Sequence, residues 1–209
     1  MGRLIKHELQ TYEVFMIQSR KELKEYIAQD RRMNKIPSSF IKRWLHNIVF
    51  PNSIWRFLEI LRYAEFYNNV DSILGFFLKN YYKIKLKRIS ANLGFDIPVN
   101  TCGPGLSIPH IGPIIINSQA EIGKNCRIHA CVNIGASGGS IKAPKIGDNV
   151  YIGPSAVIFG DIKIADNCTI GANSTVNKSV EISNSVIVGT PAHIIKNEVP
   201  SWVITTNKR

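Results

Sequence analysis

Only four cysteines occur in this chain, and no two form a C-x-x-C pair. Cys102, Cys126, Cys131 and Cys168 are therefore expected as small buried apolar residues rather than as a disulfide set or a metal site. No apolar run reaches about 18 residues, so the sequence predicts no membrane-spanning helix. The first residues, with Arg3, Lys6, His7 and Glu8, lack the apolar core and cleavage site of a secretory signal. A cytoplasmic location is the expectation. No recognised nucleic-acid-binding motif is present, so no nucleic-acid partner is expected. Acidic residues are scarce as well: 15 Asp and Glu stand against 26 Lys and Arg, a net charge of +11. Much of the excess is N-terminal, at Arg31, Arg32, Lys35, Lys42, Arg43, Lys79, Lys83, Lys85, Lys87 and Arg88. Small anionic ligands, an anionic polymer or an anionic membrane face would each match such a surface, and so would plain solvation.

What is present is a rhythm. An aliphatic residue returns every six positions at Ile116, Ile122, Ile128 and Ile134, and again from Ile146 through Ile152, Ile158, Ile164, Ile170, Val176, Ile182 and Val188. Small or turn-forming residues often follow the beat, as at Gly123, Gly135, Gly147, Gly153, Gly171 and Gly189. Neither a helix nor a single strand repeats in this way. A hexapeptide repeat does, and it predicts a triangular parallel β-helix with three hexads per coil. Each beat residue then points inward and stacks on its counterpart one coil away, at the ~4.8 Å spacing of paired strands.

Upstream of the repeat the pattern is helical. Ser19 with Glu22 three residues on forms a capping box opening a helix to about Arg32, and Pro37 closes that region. Asn52 or Ser53 caps a second helix ending near Asn68-Asn69; Asp71 caps a third, stopped by Gly94. Phe76, Phe77, Tyr81 and Tyr82 are expected to pack, with the basic face of the last helix lying on a membrane surface as the alternative. The domain boundaries read as 1–93 for the helical region, 94–192 for the solenoid and 193–209 for a tail that leaves it after Gly189.

Two interruptions of the hexads are the places to look for chemistry, because loops on a rigid scaffold commonly carry it. Eight residues separate Ile108 from Ile116 where six are expected, and they hold Pro109-His110-Ile111-Gly112-Pro113. Between Ile134 and Ile146 the stretch from Ala136 to Pro144 is pushed out as a loop. In a bulge, His110 need not point into the apolar core and is a candidate general base. Asp96, fourteen residues upstream and so nearly one coil away, is its candidate partner in a dyad.

Several segments together strongly resemble the serine acetyltransferases of the left-handed β-helix acyltransferase superfamily. They are Asp96-Ile97, Gly105 to His110, Ile115-Ile116-Asn117, Ile122 to Cys126, Val132 to Gly135, Ala143 to Gly147, Ile152 to Ala156 and Gly189 to Ala192. The likeness is nearest to the branch associated with surface-polysaccharide synthesis and covers about residues 19 to 196. It implies a left-handed solenoid preceded by an α-helical region, acetyl-CoA as the acetyl donor and no metal. It also implies a homotrimer, with a dimer of trimers as a larger form, and His110 and Asp96 as the catalytic pair. The donor groove of such enzymes runs between subunits. Here its walls would be Gly135, Ala136, Ser137, Gly153, Ser155, Ala172, Lys178, Thr190, Pro191, Ala192, His193 and Lys196, with the cationic groups near the nucleotide phosphates.

Two departures bear on the acceptor. Where those enzymes carry an aspartate before the catalytic histidine this chain has Pro109, and where they carry a second histidine in the loop it has Ala143. A free amino acid would lack its usual charged partners at such a site. With Pro109, Asn117 and Ala143 as acceptor-side residues, the sequence favours a hydroxyl of a surface glycan or its sugar precursor as acceptor, with L-serine as the alternative. A metal site like that of solenoid carbonic anhydrases needs three histidines, and only His110 and His129 are candidates. A catalytically silent interaction module is the remaining alternative.

Overall fold

A computed structural model describes residues 15–37, 39, 52–70 and 73–198. Expectations that rest on Arg3, Lys6, His7, Glu8, Lys42, Arg43 and the cap at Asp71 lie outside these residues. Helix α1 (Arg20–Met33) opens on the capping box, with Ser19 Oγ accepting from Glu22 N at 3.1 Å and Glu22 Oε2 accepting from Ser19 N at 3.0 Å. Helix α2 (Ser53–Asn69) is capped by Asn52, whose Oδ1 accepts from Trp55 N at 2.9 Å. Helix α3 (Ile73–Leu93) stops at Gly94, where φ is 75°, a left-handed conformation that a side chain would resist.

Among the described residues twelve short strands then wind into a three-sided solenoid, and a thirteenth runs back along its edge. One face carries β1 (Phe95–Asp96), β2 (Ile114–Ile116), β5 (Val132–Gly135), β8 (Val157–Phe159) and β11 (Thr175–Val176). A second carries β4 (Arg127–Ile128), β7 (Tyr151–Ile152), β10 (Thr169–Ile170) and β12 (Ser185–Gly189), with β13 (Ala192–Asn197) at its edge. The third carries β3 (Glu121–Ile122), β6 (Lys145–Ile146) and β9 (Lys163–Ile164). All pairings are parallel except β12 with β13.

The hexad beat becomes three inward ladders: Ile116, Ile134, Ile158 and Val176; Ile122, Ile146 and Ile164; Ile128, Ile152 and Ile170. None of these ten side chains is more than 4 % exposed. Each stabilises the coil by roughly 1.5–3 kcal/mol of apolar burial. At one corner Asn125, Asn149 and Asn167 hold φ near 56°, 55° and 58° and bond in series, Asn125 Nδ2 to Asn149 Oδ1 and Asn149 Nδ2 to Asn167 Oδ1. Asparagine tolerates that left-handed corner because its short amide bonds locally.

The last coil departs from the six-residue rule. Ile182 is 54 % exposed, and Val180, bridged to Ile164, is buried in its place. In β12 the ordinary two-residue alternation buries Ser185 and Ile187, leaving Val188 half-buried. After Gly189 the chain turns and runs back along β12 as β13, rather than leaving the solenoid directly. Cys131 also differs from expectation. It is exposed, because it occupies a left-handed corner at φ 64°, whereas Cys102, Cys126 and Cys168 are buried. Burial pushes the Cys102 thiol up to about 12 and those of Cys126 and Cys168 upward as well.

The helices close the N-terminal end of the solenoid. Arg62 of α2 is fully buried and donates to Asp30 Oδ2 (2.8 Å), Glu65 Oε2 (2.9 Å), Cys102 O (2.8 Å) and Gly103 O (2.7 Å). Asp30 Oδ1 accepts from Gly105 N and Leu106 N at 2.7 and 2.9 Å. Two helices and the first coil thus share one ionic node. On α3, Tyr82 packs on Tyr63 and Tyr67 with ring centroids 5.1 and 5.3 Å away. Phe76, Phe77 and Tyr81 stay 63 %, 66 % and 49 % exposed, with Tyr81 edge-on to Tyr82 at 5.1 Å and Phe76 edge-on to Phe77 at 5.7 Å, so they lie outside the core. No helix among the described residues is long and apolar enough to cross a membrane.

Candidate functional site

The eight-residue interruption sits where the chain passes from the second face of the solenoid to the first. Asn34, the C-terminal cap of α1, clamps the approach to it. Its Nδ2 donates to Leu106 O at 2.8 Å and its Oδ1 accepts from Ile108 N at 3.2 Å. Beyond the clamp, Pro109 is half-buried and His110 is exposed. The bulge lies directly on the corner of the next coil, where Cys131 N donates to Pro113 O at 2.6 Å. A side chain at Gly112 (φ 149°) would come within 2.9 Å of the Ala130 methyl.

The imidazole of His110 faces another imidazole. The ring centroids of His110 and His129 are 5.7 Å apart, and His129 is in turn 4.9 Å from Tyr151. Arg127 Nε donates to His129 Nε2 at 3.3 Å. Burial, then the Arg127 guanidinium, then His110 hold His129 below the ordinary histidine value. Its neutral form, with Nε2 accepting from Arg127, is therefore favoured.

Asp96 lies exposed at the end of β1, in register with Ile115. Among the described residues no hydrogen bond or ion pair joins it to His110; the neighbour that the chain supplies is His129. Counting one coil of about 18 residues on from His110 falls on Ile128, flanked by Arg127 and His129, and that count was the available signal.

The small residues expected along a donor groove fall into two sets. Gly153, Ser155, Ala172, Thr190, Pro191 and Ala192 follow the same corner as His110, coil upon coil. Ser155 N donates to Ala130 O (3.1 Å), a Cβ at Gly153 would meet Ala172 N at 2.8 Å, and Thr190 Oγ1 donates to Asn173 O (3.1 Å). His193 is exposed on β13 opposite Val188. Lys196 is exposed and 3.7 Å from the Glu198 carboxylate. The second set, Gly135, Ala136 and Ser137, begins at the far end of β5, one strand length of ~10 Å away. Lys178 is exposed beyond the end of β11, at that far side too. A single chain does not bring the two sets face to face.

Two acceptor-side expectations change. Asn117 follows β2 at the end of the face opposite His110, and its Oδ1 accepts from Gln119 N at 2.9 Å, a local turn contact. Ala143 is 4 % exposed and belongs to the core, so its methyl faces no ligand. Pro109 does border a cavity, of about 200 Å³, between the helices and the solenoid. Among the described residues no group of three or more His, Cys, Asp or Glu is placed to hold a metal.

Comparison with known proteins agrees with the architecture. The family model described as bacterial transferase hexapeptide (six repeats) matches residues 143–178. A probable serine acetyltransferase 1 of Oryza sativa subsp. japonica is 35 % identical over 78 residues, covering 36 % of this chain and 26 % of that protein. The match thus spans about a quarter of that relative's length. Among solved structures, serine acetyltransferase from Brucella abortus strain S19 superposes with a TM-score of 0.67 at 24 % identity, covering 86 % of this chain and 71 % of that one. Serine acetyltransferase of Neisseria gonorrhoeae in complex with serine gives a TM-score of 0.61 at 26 % identity, covering 83 % and 69 %. The chain is serine acetyltransferase-like in sequence and fold, a left-handed parallel β-helix with N-terminal helices.

Proposed function

We propose that this chain is an acetyl-CoA-dependent O-acetyltransferase in which His110 is the general base. The observation that carries this reading is the exposed imidazole in the bulge, at the head of a corner lined coil upon coil by small residues. His110 takes the proton of the acceptor hydroxyl as its oxygen attacks the thioester carbonyl. The tetrahedral oxyanion is stabilised by backbone amides beside the groove. On collapse the C–S bond breaks, and the CoA sulfur leaves with the proton from His110. Gly135, Ala136 and Ser137 complete the donor groove from a neighbouring copy in a homotrimer. Exposed Ile115, Val157 and Ile141, at 46 %, 36 % and 85 %, supply apolar surface for that contact.

For the acceptor, L-serine is supported over the surface glycan that the sequence departures favoured, since the relative and the Neisseria gonorrhoeae structure named above carry the name serine acetyltransferase. A glycan remains the second reading because Pro109 stands where an aspartate would meet an ammonium group. The test is CoA release from acetyl-CoA with L-serine, nucleotide sugars and oligosaccharide repeats. Serine turnover with a kcat/KM of ~10⁴ M⁻¹s⁻¹ or more is the result expected of a true substrate. Turnover with glycans alone would restore the sugar reading, and no turnover with any acceptor would sink the transferase.

A further inference from the structure

The cavity beside the bulge has a chemical character of its own. It is bordered by Asn34, Lys35, Trp55, Ser107, Pro109 and Arg127, so every polar group there is neutral or positive, and none of the described lining residues is acidic. Among the described residues neither Lys35 nor Arg127 pairs with a carboxylate. Trp55 is 2 % exposed, yet its indole N–H finds no acceptor. Arg31, whose guanidinium carbon lies 5.6 Å from the Trp55 ring centroid, likewise has a buried Nε without a partner. Buried donors left without an acceptor are uncommon and costly, and these two lie in the wall behind the cavity. Arg127 also touches His129, which faces His110, so the cavity is two side chains from the proposed base.

We propose that this cavity is an anion subsite, which holds a carboxylate or phosphate of the acceptor while its hydroxyl lies at His110. Arg127 and Lys35 provide the charge, and the Trp55 side chain forms part of the wall. At about 200 Å³ the cavity is small, of a size for one charged group and the few atoms next to it. The word acceptor rests on the transferase reading; the binding of an anion does not.

Trp55 gives a readout independent of turnover. In the full-length chain with Trp44→Phe and Trp202→Phe, the remaining indole ¹⁵N–¹H signal reports this cavity alone. L-Serine, D-glucuronate and inorganic phosphate are titrated against L-serinamide and methyl β-D-glucoside, which lack the anion. At least one anionic probe is expected to move the signal, the neutral sugar and the amide to leave it in place. Arg127→Gln and Lys35→Gln should each weaken that probe about tenfold or more, the range for losing a charge-assisted hydrogen bond. Which anion acts distinguishes an amino acid, a uronate and a phosphorylated acceptor. Equal response to charged and uncharged probes, no response to any, or unchanged affinity in both variants overturns the proposal. An anion-binding chain without acetyl transfer would overturn the transferase reading and leave the subsite standing.

Discussion

At the scale of single residues the reaction is assigned to one imidazole with unusual company. His110 should lose about 10²–10⁴-fold of its transfer rate on replacement by alanine, the loss expected for a general base, with CoA affinity nearly unchanged. Asp96→Asn should cost much less than His110→Ala, because among the described residues no hydrogen bond or ion pair joins Asp96 to His110. A rate loss from Asp96→Asn as large as that from His110→Ala would show that the dyad closes when the acceptor binds. Near-full activity of His110→Ala would remove the base altogether. His110 was legible in the sequence because an eight-residue gap in a six-residue rhythm has a physical consequence: it frees a side chain from the core. His129 and Arg127 were not legible in the same way. They flank the regular beat at Ile128, and only the stacking of coils, which lays residue 129 against the bulge, gives them a part. Ala143, singled out by motif, is a position that the core absorbs.

Elements matter here through what they hold in place. The clamp of Asn34 on Leu106 and Ile108 and the Arg62 node with Asp30 and Glu65 fix α1 and α2 on the first coil, immediately before His110. Burial pushes Glu65 up, and the Arg62 charge opposes that shift; the Arg62 guanidinium is itself held charged by Asp30 and Glu65. Arg62→Ala leaves two buried carboxylates without their cation. It should destabilise the protein by about 3–5 kcal/mol in chemical denaturation, the range for breaking a buried pair from one side. A change below about 1 kcal/mol would mean that water reaches the node and replaces the guanidinium. Helix boundaries were readable from caps at Ser19, Asn52 and Gly94, since caps are local chemistry. The Arg62 node was not, because it joins residues 32 and 40 positions apart whose meeting depends on how helix and coil dock.

For the whole molecule, the question is why one chain should not suffice. The first face of the solenoid separates Gly135–Ser137 from the corner that carries Gly153, Ala172 and Thr190, and it presents Ile115 and Val157 to the outside. Apolar side chains in the middle of an otherwise regular face are what a cyclic assembly buries. If three copies meet there, the far-end loop of one chain lies beside the corner of the next, and a donor groove forms only at that junction. Light scattering should then give a particle of three times 23.4 kDa, or twice that if the helical regions pair. Val157→Arg, an outward position on β8 whose arginine would be unpaired at the junction, should yield monomers that keep the solenoid's circular dichroism but have lost CoA binding. Monomers that bind CoA as tightly as the parent chain would place the whole donor site within one subunit, and the shared groove would be wrong.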